Sequence, residues 1–203
     1  MNTKVFFICI AVLLLSAHGL RSQEVTAKLD EAKEYYTSAN LEETRYSLKQ
    51  ALEELNQVLG REILGMFPET MENLPVIREE DNVTGNVAGI TGLNIKRRYA
   101  GENQSVDVLV VDDSPLLAGI NTFLSMPAFM GTGDPDMKRI KIGGYKALIS
   151  KELNDSTGIV RYEIQVPFDK SLFSFNTEGF DDEDSVVKMA ETIPVAAIAK
   201  MTR

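Results

Sequence analysis

The spacing of apolar residues changes along the chain, and this change restricts the fold more than any other feature. Between residues 23 and 67, apolar residues recur every three or four positions, as in amphipathic helices. After residue 91 they alternate with polar residues, as in "LNIKRRY" and "GIVRYEIQV", which is typical of half-buried strands. We therefore predict an α+β fold, with an N-terminal α-helical hairpin followed by a mainly antiparallel sheet covered by helices.

The hairpin prediction depends on a cap and a short link. Asn40 is a preferred N-cap, and Glu43 stands at the matching position of a capping box. The link of residues 38–40 is short, which predicts antiparallel helices, and Pro68 ends the second one. The apolar stripe of this second helix contains Leu41, Leu48, Leu52, Leu55, Leu59, Ile63 and Met66, and only Arg45 interrupts it.

Composition and periodicity divide the chain into four regions. Residues 1–22 form a predicted signal peptide, 23–67 the helical hairpin, 68–91 a linker rich in Pro, Gly and charge, and 92–203 the α+β domain. Within the last region we expect two or three strands, a helix, three or four strands and a helix that Pro194 interrupts or restarts.

The N-terminus has the order of a secretory signal. Lys4 precedes the apolar run from Val5 to Leu15, which is shorter than the roughly 20 residues needed to span a bilayer, and small residues follow. Cleavage after Gly19 or Ser22 is expected. The mature chain would then be exported and would have no transmembrane segment.

This signal peptide contains the single Cys and the single His, Cys9 and His18, and the chain has no Trp. A mature chain without thiolate or imidazole has no Cys–His or Ser–His–Asp catalysis and no Cys/His zinc, haem or iron–sulfur site. We predict no catalytic residue, cofactor or metal ligand, which argues against an enzyme. A sizeable exported domain without disulfides favours the periplasm or cell envelope of a Gram-negative bacterium.

The charge balance also restricts the partners. The net charge of the chain is −9, which disfavours binding to nucleic acid. Basic residues nevertheless recur along two predicted strands, where we interpret them as a solvated surface that shares one sheet face. These residues are Lys96, Arg97, Arg98, Lys138, Arg139, Lys141 and Lys146.

The stretch "VDDSPLL" joins a strand to a helix. Ser114 is a preferred N-cap, and Pro115 is suited to the first helical position. Asp112 and Asp113 then lie beside the positive end of the helix dipole, which lowers the pKa of a carboxyl group. A general acid needs a raised pKa, so we favour a helix start over a catalytic site.

The alternative interpretation of the same stretch is chemical. Asp112 and Asp113 would act together with Asp134 and Asp136 in a carboxylate-dependent hydrolase or in a divalent-metal site. This interpretation requires the four carboxylates to converge, because catalytic carboxylates lie within about 10 Å of each other.

The loop "MPAFMGTGDPDM" at 126–137 is the candidate contact surface. Methionine is an adaptable side chain that recurs on protein-binding surfaces, and long ordered loops are often functional. The residues assigned to this candidate surface are Met126, Phe129, Met130, Met137 and Tyr145.

Three segments, "YAGENQSVDVLVVDDSPLLAGINTFLSMP", "IKIGGYKALI" and the acidic start of the last helix, resemble an uncharacterised family of exported bacterial proteins of unknown function. The resemblance covers roughly residues 40–200. It implies a periplasmic protein with a helical segment before a small α+β domain, and it provides no activity or catalytic residues to carry over to this chain. The hairpin is similar to a single tetratricopeptide-type helix pair, but arrays of that kind need about three copies. The sequence thus favours a non-enzymatic periplasmic binding or cell-envelope accessory protein with a protein or envelope partner.

Overall fold

The computed structural model describes residues 23–87, 90–126 and 136–202. The chain divides into two compact units, and the boundary between them, Val58/Leu59, falls inside one long helix. The helices are α1 (23–37), α2 (Leu41–Met66), α3 (Leu117–Ser125), α4 (Glu183–Glu191) and α5 (Val195–Met201). The strands are β1 (Thr70–Met71), β2 (Leu74–Pro75), β3 (Asn82–Val87), β4 (Ile90–Ala100), β5 (Ser105–Asp112), β6 (Met137–Ile142), β7 (Tyr145–Leu153), β8 (Val160–Phe168) and β9 (Ser171–Glu178).

The first unit contains the predicted helical pair. The backbone N–H of Glu43 donates to Asn40 Oδ1 at 3.4 Å, so the predicted N-cap is confirmed. Ala39, in the link, adopts a left-handed conformation with φ 58°, which turns the chain between the helices. Ala32 lies six residues before this link and Ser47 seven residues after it, and both are buried, as expected of two antiparallel helices.

The second unit is built on a seven-stranded sheet with the order β3-β4-β5-β9-β8-β7-β6. Every neighbouring pair of strands is antiparallel. Three strands precede α3 and four follow it, and Pro194 separates α4 from α5. The predicted α+β class, the antiparallel sheet and the interrupted last helix are confirmed.

One face of the sheet, here called the inner face, carries the main core. Helices α4 and α5 and the part of α2 from Leu59 onward pack against it. The opposite, outer face is covered in part by α3, whose Ile120 and Leu124 pack on Leu148 and Leu172. The largest fully buried inner-face side chains of the strands are Leu93, Ile95, Tyr99, Ile142, Ile149, Ile164, Phe173 and Phe175.

Residues 68–91, predicted as a linker, contain more structure than the sequence indicates. Strands β1 and β2 pair with each other, a 3₁₀ turn follows at Arg78–Glu80, and β3 is an edge strand of the main sheet. Strand β3 pairs with β4 through a register shift between Thr84 and Asn86. Strand β3 forms here because β4 offers a pairing partner, which local composition does not reveal.

Candidate functional site

The "VDDSPLL" junction begins a helix, as predicted, but the helix starts later. Strand β5 ends at Asp112, and α3 starts at Leu117 rather than at Pro115. Asp113 has a left-handed φ of 51°, and the Leu117 N–H donates to the Ser114 carbonyl at 3.2 Å. These contacts close a tight turn ahead of the helix. Ser114 Oγ accepts from the Leu116 N–H at 3.4 Å, so it stabilises this turn and does not act as the predicted N-cap of the helix.

The environment of Asp112 differs from the expected one. Burial raises the pKa of Asp112, although hydrogen bonds from Ser171 and from the Leu93 backbone act in the opposite direction. The Ser171 hydroxyl donates to Asp112 Oδ1 at 2.5 Å. The predicted lowering of the pKa is wrong for Asp112, because desolvation of the carboxylate outweighs the hydrogen bonds that it accepts.

The carboxylates of the chemical alternative do not converge within the described residues. Asp112 pairs with Ser171 at one end of the sheet, whereas Asp136 precedes β6 near the opposite end, where its backbone carbonyl accepts from the Lys151 N–H at 2.9 Å. Four strand spacings separate β5 from β6, which is about 19 Å. Asp134 lies outside the described residues. Those residues also contain no group of three or more His, Cys, Asp or Glu that could hold a metal ion.

The candidate loop surface is divided between the two faces of the sheet. Met137 packs on the outer face with α3, whereas Tyr145 packs with the inner-face core and lies 5.9 Å from the Phe168 ring. Met126 is exposed, and its carbonyl accepts from Arg139 Nη1 at 2.9 Å. Phe129 and Met130 lie outside the described residues. The predicted surface therefore does not bring Tyr145 next to the two described methionines.

The basic residues expected on one face also lie on both. Arg97 points to the inner face, where it is only 4% exposed. Its guanidinium donates to both carboxylate oxygens of Asp81 at 2.9 and 2.6 Å, and to the Leu64 carbonyl at 3.0 Å. The bidentate pair attaches the start of β3 to β4, and the hydrogen bond to the Leu64 carbonyl attaches the end of α2. Tyr99 adds a second attachment, because its hydroxyl donates to the Pro68 carbonyl at 2.7 Å.

The uncovered part of the outer face forms a polar cleft of about 300 Å³. Two ion pairs bridge neighbouring strands there. Arg98 lies 3.4 Å from Asp107, and Arg161 lies 2.5 Å from Glu178. Glu152 and Glu163 also line the cleft, so its lining carries four carboxylates and two guanidinium groups and disfavours an anionic ligand.

The helical unit presents a different kind of surface. Seven of the large apolar side chains that are exposed in the described residues belong to residues 23–58. Six of them form what we call the apolar hairpin face, and they are 46–67% exposed. They are Leu29, Tyr36, Leu41, Leu48, Leu52 and Leu55. The sequence revealed the stripe but not that it remains uncovered.

Helix geometry places the four leucines of α2 on one side of that helix. Successive residues of an α-helix are rotated by about 100°. The buried Thr44, Ser47 and Ala51 define the sector that faces α1. The leucines occupy a narrow sector roughly 80° from it, so they lie beside the α1 contact rather than inside it.

The same rotation places the apolar residues of α1 next to these leucines. Ala32 is buried and Lys28 and Tyr35 are half-buried, so they define the sector of α1 that faces α2. Leu29 and Tyr36 lie about 80° from that sector, in the same rotational sense as the leucines of α2. Since the helices are antiparallel, both apolar sectors point to the same side of the hairpin.

Comparison with family models, with curated proteins and with solved structures found no match to this chain. Within the described residues, no helix is long and apolar enough to cross a membrane. Function must therefore be inferred from the surfaces of the described residues.

Proposed function

We propose that this chain is a non-enzymatic binding protein of the periplasm or cell envelope, and that the apolar hairpin face is its contact surface. One observation carries the proposal: six large apolar side chains are about half exposed on one side of two antiparallel helices. Contiguous apolar patches of several hundred Å² on a soluble domain mark interaction sites.

Three features of the sequence support the compartment and the absence of catalysis. The first 22 residues have the order of a signal peptide. The rest of the chain has no Cys, His or Trp. The chain also resembles a family of exported bacterial proteins of unknown function.

The chemistry of the face indicates what kind of partner it binds. Leu41, Leu48 and Leu55 recur every seven residues, with Leu52 between the last two, which is the spacing of a coiled-coil seam. A partner helix with a matching apolar stripe would fit such a groove. An anionic membrane surface fits poorly, because carboxylates outnumber basic residues in the hairpin.

A photo-crosslinking phenylalanine analogue at Leu52, in the full chain produced in a Gram-negative host, tests the proposal. We expect discrete crosslinked products in the periplasmic fraction, because Leu52 is at the centre of the apolar hairpin face. Tyr46 is the matched control, because it is a large exposed side chain of the same helix that points away from the leucines.

Two results would count against the proposal. A chain found only in the cytoplasm, with its first 22 residues retained, contradicts the compartment. Equal crosslinking from Leu52 and Tyr46, or none from either, contradicts the contact surface.

A further inference from the structure

The hairpin has almost no core of its own. Within described residues 23–58 the buried side chains are all small: Ala32, Thr44, Ser47 and Ala51. Small residues allow two helices to approach closely, but they bury little apolar area. Helices in proteins owe most of their stability to the packing of an apolar face. A partner that buries the exposed leucines would therefore stabilise this hairpin more than its own internal contacts do.

A helical hairpin with one apolar face is half of a four-helix bundle. In such bundles, helices about 20° from antiparallel bury a core of coiled-coil-type positions. A second identical hairpin related by a two-fold axis supplies the same face, so that each residue pair occurs twice. With the axis near the middle of the stripe, Leu48 of one copy packs against Leu52 of the other.

The area of the face is adequate for such a contact. The half-exposed leucines and the Tyr36 ring together offer on the order of 400 Å² of apolar surface per copy. A standard interface buries about 800 Å² per partner, including a polar rim. The six side chains therefore supply the apolar centre of an interface of ordinary size.

The rim of the face is compatible with self-association. By helical rotation the charged residues nearest the face are Lys33, Arg45 and Lys49, within about 90° of its centre, and the carboxylates of Asp30 and Glu42 lie next to them, at about 110°. Because both signs are present, a two-fold related copy does not bring together edges of a single charge.

We propose that the occupant of the apolar hairpin face is a second copy of this chain, and that the two hairpins form a four-helix bundle. This inference rests on the proposed function, since it names the partner of the same surface.

Sedimentation velocity of the purified protein, from about 0.1 to 100 µM, measures the association. We expect a monomer–dimer equilibrium for the wild type and for Tyr46→Glu. Leu48→Glu/Leu52→Glu should remain monomeric throughout, with at least a tenfold loss of association, because it places two carboxylates in the apolar centre. Circular dichroism checks that each variant keeps its helices.

Cysteine crosslinking keeps the test decisive if the double variant unfolds. In a Cys9→Ser background, a mixture of Leu48→Cys and Leu52→Cys chains should form a disulfide-linked dimer, because these positions face each other across the two-fold axis. A mixture of Leu48→Cys and Tyr46→Cys chains should not. A wild type that stays monomeric at about 100 µM, or equal disulfide yields from the two mixtures, overturns the second-copy proposal. If the wild type is monomeric but Leu52 crosslinks to a different protein, the proposed function stands and only the second copy is excluded.

Discussion

The two ends of α2 carry one apolar stripe but have opposite environments. From Leu41 to Leu55 its leucines are about half exposed. From Leu59 onward the stripe is embedded, since Ile63 is fully buried and both Leu59 and Met66 pack against the core. The helix is continuous, and its spacing hardly changes.

This difference shows that the spacing of apolar residues predicts which face of a helix is apolar, but not what packs against that face. The embedded part packs against the apolar inner face of the sheet. Arg97 also holds it in place, because Arg97 Nη1 donates a hydrogen bond to the Leu64 carbonyl. The exposed part meets no such surface within the described residues of its own unit. Mutations along the helix should therefore have effects that fall steeply from one end to the other.

The largest effect is expected at Ile63. Ile63→Ala removes a fully buried side chain and leaves a cavity, so the free energy of unfolding of the second unit should fall by about 3 kcal/mol. Urea unfolding followed by circular dichroism measures this. A loss below about 1 kcal/mol would show that the embedded end of α2 repacks easily.

A similar effect is expected at Arg97. Arg97→Met leaves Asp81 without its guanidinium and the Leu64 carbonyl without a donor, which should cost about 3 kcal/mol. Adding Asp81→Asn should recover part of the loss, because no uncompensated carboxylate then remains. Urea midpoints of the single and double variants give the coupling, and strictly additive losses would contradict the ion pair.

A smaller effect is expected at Tyr99. Tyr99→Phe removes the hydrogen bond to the Pro68 carbonyl and should cost about 1 kcal/mol near neutral pH. Burial raises the pKa of Tyr99 to about 12 from its ordinary value of 10.0. The folded state therefore holds the phenol proton more tightly than the unfolded state, and wild-type stability should fall as the pH rises from about 10 to 12. Stability curves of the two proteins against pH should converge or cross in that range, and parallel curves would exclude Tyr99 as the source.

The smallest effect is expected at Leu52. Leu52→Ala at a dilution where the protein is monomeric should change the free energy of unfolding by less than about 0.5 kcal/mol, because the side chain is already half exposed. At concentrations where the wild type associates, the same variant should be less stable than the wild type. A loss above about 2 kcal/mol in the dilute sample would mean that Leu52 is covered within a single chain.

Much of the fold was accessible from the sequence because its signals are local. Alternation identified the main strands, Asn40 identified the start of α2, and Pro194 identified the break between α4 and α5. The same alternation places Arg97 on one face of β4, and Lys96 and Arg98 on the other. It was therefore inconsistent with the prediction that all of the basic residues share one face of the sheet. The burial of Arg97 therefore had a signal in the sequence, namely its place among the apolar residues of β4.

The remaining features depend on contacts between distant segments. Strand β3, with Gly85 and a register shift, has no clear alternation and exists because β4 pairs with it. The pKa of Asp112 depends on how deeply the end of β5 is buried. The exposure of the leucines depends on which of the described segments pack against them, and no local spacing encodes that.

The sheet topology also determines the order of folding. Strands β8 and β9 are joined by a tight turn, since Phe168 pairs with Ser171, and β6–β9 form a continuous meander. The pairing of β5 with β9 joins this meander to β3–β5, and it brings together residues as distant in sequence as Ser105 and Glu178. Closing so long a segment costs more chain entropy than closing a hairpin, so this step should limit the folding rate. Until it occurs, the edges of β5 and β9 are open to pairing with other chains, and a newly synthesised molecule should be most prone to aggregate in that interval.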